Sequence, residues 1–106
     1  VNPSILVGSL DPELNDLNIN VFPNPSNGSF NVVLVLRENS ELNLSVFAVN
    51  GQLVWSGSKL NLSSGSHQVP VPLENIESGM YTLEVAVRER DKENALISRQ
   101  KISVLR

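Results

Sequence analysis

Hydrophobic residues recur at every second position along most of this chain, the spacing that lines one face of an extended strand. Leu17, Ile19 and Val21 alternate with Asn18 and Asn20. Phe30, Val32, Leu34 and Leu36 form a second row, and Asn31, Val33 and Val35 make the other side apolar at its middle as well. Leu42, Leu44, Val46 and Ala48 form a third row, opposite Asn43 and Ser45. Val54 lies in a fourth, shorter run from Gln52 to Ser56. Val69, Val71 and Leu73 alternate with Gln68, Pro70 and Pro72 in a fifth. Tyr81, Leu83, Val85 and Val87 make a sixth, and Leu96, Ile102 and Val104 share a face of the last.

Turn chemistry separates these rows. Asn27-Gly28 and Asn50-Gly51 are dipeptides that accept positive φ in tight hairpins. Arg37-Glu38-Asn39-Ser40-Glu41 and Arg90-Asp91-Lys92-Glu93-Asn94 read as short polar loops, and Glu77-Ser78-Gly79 leads into the sixth row. Pro70 and Pro72 cannot donate to a ladder, so the fifth strand is expected at a sheet edge. Ala is scarce while Asn and Ser are abundant, which disfavours helix and favours turns. The pattern predicts an all-β fold, an immunoglobulin-like antiparallel β-sandwich of about seven strands, with a compact barrel as the alternative. Val32, Leu34, Leu44, Val46, Leu83, Val85, Ile102 and Val104 are expected in its core.

Residues 1–16 break the pattern. Val1-Asn2-Pro3-Ser4 and Asp11-Pro12-Glu13 punctuate a stretch without sustained alternation, though Ile5-Leu6-Val7 is compatible with a short strand. This segment reads as a linker from a missing upstream part, and residues 17–106 as the domain. The chain begins at Val1 and its only Met is Met80, so it is expected to be a piece of a longer precursor whose signal peptide, if any, lies upstream.

At 106 residues the chain builds one modest core. Its net charge of −3 argues against a general nucleic-acid binder, which needs a basic face. No apolar run approaches the roughly 18 residues of a membrane-spanning helix. There is no Cys, hence no disulfide, no thiol nucleophile and no thiolate metal site.

Candidate chemistry is sparse. His67 is the only His; a triad with Ser66 is formally possible, but a strand-start residue beside the Ser63-Ser64-Gly65-Ser66 turn is the plainer reading. Asp11, Glu13 and Asp16 resemble a calcium loop only superficially, because the sixth residue from Asp11 is Asp16 and the twelfth is Phe22, where an EF-hand needs Gly and Glu. Trp55 suits a packed sheet edge better than a sugar-stacking platform. Arg88-Glu89-Arg90-Asp91-Lys92-Glu93 alternates in sign and reads as a solvated hairpin loop. Arg99 and Lys101 project to one side of the last strand, and Arg106 closes it, a local basic row on an acidic domain. These residues point to a non-enzymatic module with no cofactor and no metal.

Three signatures, in order, resemble one family. They are Val21-Phe22-Pro23-Asn24-Pro25-Ser26-Asn27-Gly28-Ser29-Phe30-Asn31-Val32; Leu44-Ser45-Val46-Phe47-Ala48-Val49-Asn50-Gly51-Gln52-Leu53-Val54; and Leu73-Glu74-Asn75-Ile76-Glu77-Ser78-Gly79-Met80-Tyr81-Thr82-Leu83-Glu84-Val85, followed by Arg99-Gln100-Lys101-Ile102-Ser103-Val104-Leu105-Arg106. Together they resemble the type A C-terminal sorting domain of the type IX secretion system. That family shows an aromatic-Pro-Asn-Pro corner, an aromatic-Asp/Asn-x-x-Gly hairpin, a Gly-x-Tyr strand start and a basic-apolar last strand. Its motif falls here on Phe22, Pro23, Asn24, Pro25, Gly28, Phe47, Gly51, Gly79 and Tyr81. The sequence departs from it at Phe47, commonly Tyr, and Ala48, commonly acidic or amide. The resemblance implies a secretion signal in a Gram-negative bacterium that directs an upstream cargo through the periplasm and outer membrane to the cell surface, where the domain is removed. The implied partners are an outer-membrane shuttle protein, a sortase and the translocon. Arg99, Lys101, Ile102, Val104 and Arg106 are the candidate recognition strand. The competing expectation is an immunoglobulin-like or fibronectin-like module that binds carbohydrate or protein for a neighbouring domain.

Overall fold

Each alternating row folds as a strand. The structure, a computed structural model, describes residues 19–106; Leu17, the acidic trio Asp11, Glu13 and Asp16, and the 1–16 linker lie outside the described residues. The strands are β1 (Asn20–Phe22), β2 (Ser29–Leu36), β3 (Ser40–Ala48), β4 (Leu53–Leu62), β5 (Gly65–Pro72), β6 (Gly79–Glu89) and β7 (Leu96–Val104). They form a 3-stranded sheet in the order β1-β2-β5 and a 4-stranded sheet in the order β4-β3-β6-β7. Every pairing is antiparallel. The sheets stack as an immunoglobulin-like sandwich, and the barrel alternative falls: among the described residues no strand ladder joins one sheet to the other, only a single bridge between Ser26 and Val104.

The inward rows meet between the sheets. Phe30, Val32, Leu34 and Leu36 of β2, with Val69 and Val71 of β5, pack against Leu42, Leu44 and Val46, Leu83, Val85 and Val87, and Ile102. All eight residues expected in the core are buried. On β2, where both faces read as apolar, the even-numbered residues point inward while Val33 is half-buried and Val35 is exposed. Each buried aliphatic side chain contributes about 1.5–3 kcal/mol, which explains how the fold holds without a disulfide.

Three local expectations are corrected. The fourth run is longer than read, because β4 continues to Leu62 along β3 through Ser56-Gly57-Ser58-Lys59, where no apolar residue marks a strand; backbone pairing carries it there. Asn27-Gly28 does not make a tight hairpin, since the antiparallel neighbours β1 and β2 are joined by the whole 23–28 segment. Arg88 and Glu89 belong to β6 and not to a solvated loop. Glu89 continues the inward row of Tyr81, Leu83, Val85 and Val87, and is only 5% exposed. Its carboxylate accepts from Arg37 Nε at 2.9 Å and Nη2 at 2.8 Å, a fork geometry suited to a guanidinium. Arg37 follows β2, so this pair ties the two sheets together at one end of the sandwich.

Candidate functional site

The other end of the sandwich gathers the family-motif residues. Chain leaving β1 turns at Phe22-Pro23-Asn24-Pro25, all exposed, and crosses to the outer edge of β7 in the opposite sheet. Pro23 and Pro25 lack N–H groups, so this segment cannot form an ordinary ladder. The Asn24 side chain supplies what is missing. A primary amide carries one donor group and one acceptor, as a peptide unit does. Its Oδ1 accepts the Ser103 N–H at 3.0 Å, and its Nδ2 donates to the Lys101 carbonyl at 3.4 Å. Ser26 completes the cover with its backbone: its N–H donates to the Ser103 carbonyl at 2.9 Å, and its carbonyl accepts from Leu105 at 2.8 Å. Further back, the Ile19 carbonyl accepts from Gln100 Nε2 at 3.3 Å.

Gly28 fastens the far side of this segment. Its carbonyl accepts from Leu73 N–H at 3.0 Å, and its own N–H reaches Ser26 Oγ at 3.2 Å. In the β3–β4 hairpin, Gly51 donates to the Ala48 carbonyl at 2.9 Å while Asn50 Oδ1 accepts the Gln52 N–H at 3.0 Å. Phe47 is half-buried at the end of β3, beside a register shift. Gly79 opens β6, and the Tyr81 hydroxyl donates to the Glu77 carbonyl at 2.7 Å. A Tyr at the start of a central strand, bonded to backbone just upstream, is the tyrosine corner of immunoglobulin-like sandwiches. Between these turns lies a hollow of about 550 Å³, lined in part by Val49, Val54, Trp55, Ile76, Met80 and Tyr81. Sequence reasoning missed this hollow, because its residues come from the β3–β4 hairpin, from β4, and from the β5–β6 connection and the start of β6, far apart in the chain.

The basic row divides in the folded chain. Ile102 and Val104 are buried and anchor β7 in the core, while Arg99 and Lys101 lie on its exposed side. Arg99 Nε sits 2.9 Å from Glu84 Oε2, directly across on β6. Lys101 forms no ion pair among the described residues. Arg106 turns away, its Nη1 donating to the Ile76 carbonyl at 2.9 Å and its N–H to Ser78 Oγ at 2.8 Å. His67 Nε2 donates to the Ser63 carbonyl at 2.7 Å; Trp55 is half-buried against the core, its indole lying over Gly57.

The chain matches the family described as the secretion system C-terminal sorting domain over residues 20–99, from β1 into β7. The chain belongs to this family. The sorting domain is thus a C-terminal signal for type IX secretion, a role that implies export across the outer membrane, contact with the secretion machinery and a cargo upstream. Every motif position from Phe22 to Tyr81 lies within the match; Lys101, Ile102, Val104 and Arg106 lie beyond it. A search of curated proteins gives no match. Among solved structures the sorting domain is similar to part of the Parabacteroides merdae β-glucuronidase, with a TM-score of 0.57 and 14% identity. That likeness covers 81% of the sorting domain and 13% of the enzyme. At this identity it shows a shared sandwich fold alone, and the family itself is a secretion signal rather than an enzyme. Among the described residues no helix is long and apolar enough to cross a membrane.

Proposed function

We propose that the type IX machinery recognises this sorting domain through the exposed side of β7, carries the upstream cargo across the outer membrane, and has the domain removed at the cell surface. Its partners in this reading are the outer-membrane shuttle protein, the translocon and the sortase that the family resemblance implies. The observation that carries the reading is Lys101: an exposed cation with no carboxylate partner among the described residues, next to Arg99 on an edge strand of an acidic domain. Such a feature attracts an acidic surface and raises the encounter rate. Ile102 and Val104 serve the reading indirectly, by fixing the strand that presents the two cations.

The test is the double variant Arg99→Ser with Lys101→Ser in a cargo fusion in a secreting host. Thermal unfolding is expected to move little, since exposed ion pairs such as Arg99–Glu84 contribute roughly 0–1 kcal/mol. Secretion is expected to fall, with precursor collecting in the periplasm. Secretion at the normal rate would move recognition away from β7, toward the Pro23-Asn24-Pro25 corner.

A further inference from the structure

Among the described residues, the outer edge of β7 is covered along one half and bare along the other. Ser103 turns both its N–H and its C=O away from β6, toward Asn24 and Ser26. In an antiparallel ladder, residues that bond to the neighbouring strand alternate with residues that do not. Lys101, Arg99 and Ile97, at successive second positions opposite Thr82, Glu84 and Ala86, therefore share the outward orientation of Ser103. Asn24 takes the Lys101 carbonyl. The N–H of Lys101 and the peptide groups of Arg99 and Ile97 have no partner among the described residues.

The other sheet edges are less open. Pro70 and Pro72 stand opposite Asn31 and Ser29 and leave the β5 edge without donors at those positions. The described β1 is 3 residues long. Register shifts interrupt β4 near both of its ends, a device that spoils edge pairing.

We propose that the secretion machinery holds the domain by laying an extended acidic segment of its own along residues 97–101 as an added strand. This inference rests on β7 being the recognised surface and says how it is gripped. Main-chain hydrogen bonds supply affinity in strand addition, and side chains supply specificity. Carboxylates on the added segment face Lys101 and Arg99. The corner sets its length, because Asn24 and Ser26 already occupy the edge from the Lys101 carbonyl to Leu105. A second copy of this chain is a poorer occupant: antiparallel pairing of two such edges about their centre sets Arg99 against Arg99, and like charges directly opposite are destabilising.

The experiment compares Arg99→Ser with Arg99→Pro in the cargo fusion. Both remove the same charge. Only Pro removes the outward N–H, and it leaves the β6–β7 ladder intact because the Arg99 N–H does not bond to β6. Secretion of the Pro variant is expected to fall about tenfold below that of the Ser variant, the effect of one lost hydrogen bond. Equal losses in the two variants would overturn strand addition and leave β7 standing as a surface read through its charges. No loss in either would also overturn strand addition, and the Arg99→Ser, Lys101→Ser double variant would then decide by itself whether β7 is the surface read. Should Arg99→Pro lower the unfolding temperature, amide exchange in the unaltered chain decides. Exchange at Ile97 and Arg99 is expected to be fast in the free chain and to slow about tenfold with the solubilised outer-membrane complex of the host. Absence of that slowing overturns the proposal, as does a free chain that is dimeric with these amides already protected.

Discussion

Gly28 meets two constraints at once. Its φ of +125° lies where side chains are rarely tolerated, and a Cβ there would stand 2.8 Å from the Leu73 carbonyl oxygen. Gly51, at φ +89°, meets only the first, since a Cβ at that position would find nothing within 4 Å. Gly28→Ala is therefore expected to cost more than Gly51→Ala, about 2–3 kcal/mol against about 1 kcal/mol. Urea unfolding of the two variants measures the difference, and equal midpoints would show that the 23–28 segment shifts to make room. Both glycines were legible in the sequence as positive-φ positions beside Asn. What was hidden is the carbonyl of Leu73, 45 residues on in the chain (73 less 28). Glu89 shows the converse case. It keeps phase with Tyr81, Leu83, Val85 and Val87, but the alternating charges around it read as a solvated loop, so its burial was not read from the sequence. The Arg37 guanidinium settles the matter by pairing with it inside the sandwich end.

At the scale of elements, the corner is the unit that decides how β7 behaves. Half of the strand's outer edge depends on one amide side chain and one backbone serine. Asn24→Ala is expected to release the Ser103 N–H, so that its hydrogen exchange accelerates while that of Leu105, held by the Ser26 carbonyl, changes less. The cost is about 1 kcal/mol, the net worth of a typical hydrogen bond. Asn24→Asp retains the acceptor for Ser103 and should preserve most of its protection. Equal exchange in the Ala variant and the parent would mean that Asn24 does not hold the edge. The prolines revealed a rigid corner in the sequence, but its landing place on β7 could not be read there. Alternation gives the phase of a strand, and carries no information about which distant strand a loop will touch.

Considered whole, the domain has its described beginning and its last strand side by side, joined through Ile19, Asn24 and Ser26 on one side and Gln100, Ser103 and Leu105 on the other. Removing the chain through Ser26 would therefore uncover β7 as well as strip β1 from β2. In the proposed function, a sortase that releases an intact domain cuts before these contacts begin. Cleavage is expected in or just before residues 1–16, whose Pro and acidic residues read in the sequence as a linker, the kind of segment that nicking favours. N-terminal sequencing of the released domain locates the cut; a first residue beyond Phe22 would exclude this boundary, because the corner would already be severed.

The sequence by itself determined the class of fold, the phase of its inward rows and the family. Those properties follow from local alternation, from turn residues with fixed backbone preferences, and from short motifs, all of which are readable within a few residues. Tertiary structure alone decided the grouping of strands into sheets of 3 and 4, the pairing of Arg37 with Glu89, and the division of β7 into a covered and an open half. Each of these joins residues far apart in the chain. Hydrogen-bond complementarity and the stacking of two apolar faces select them only once the strands exist.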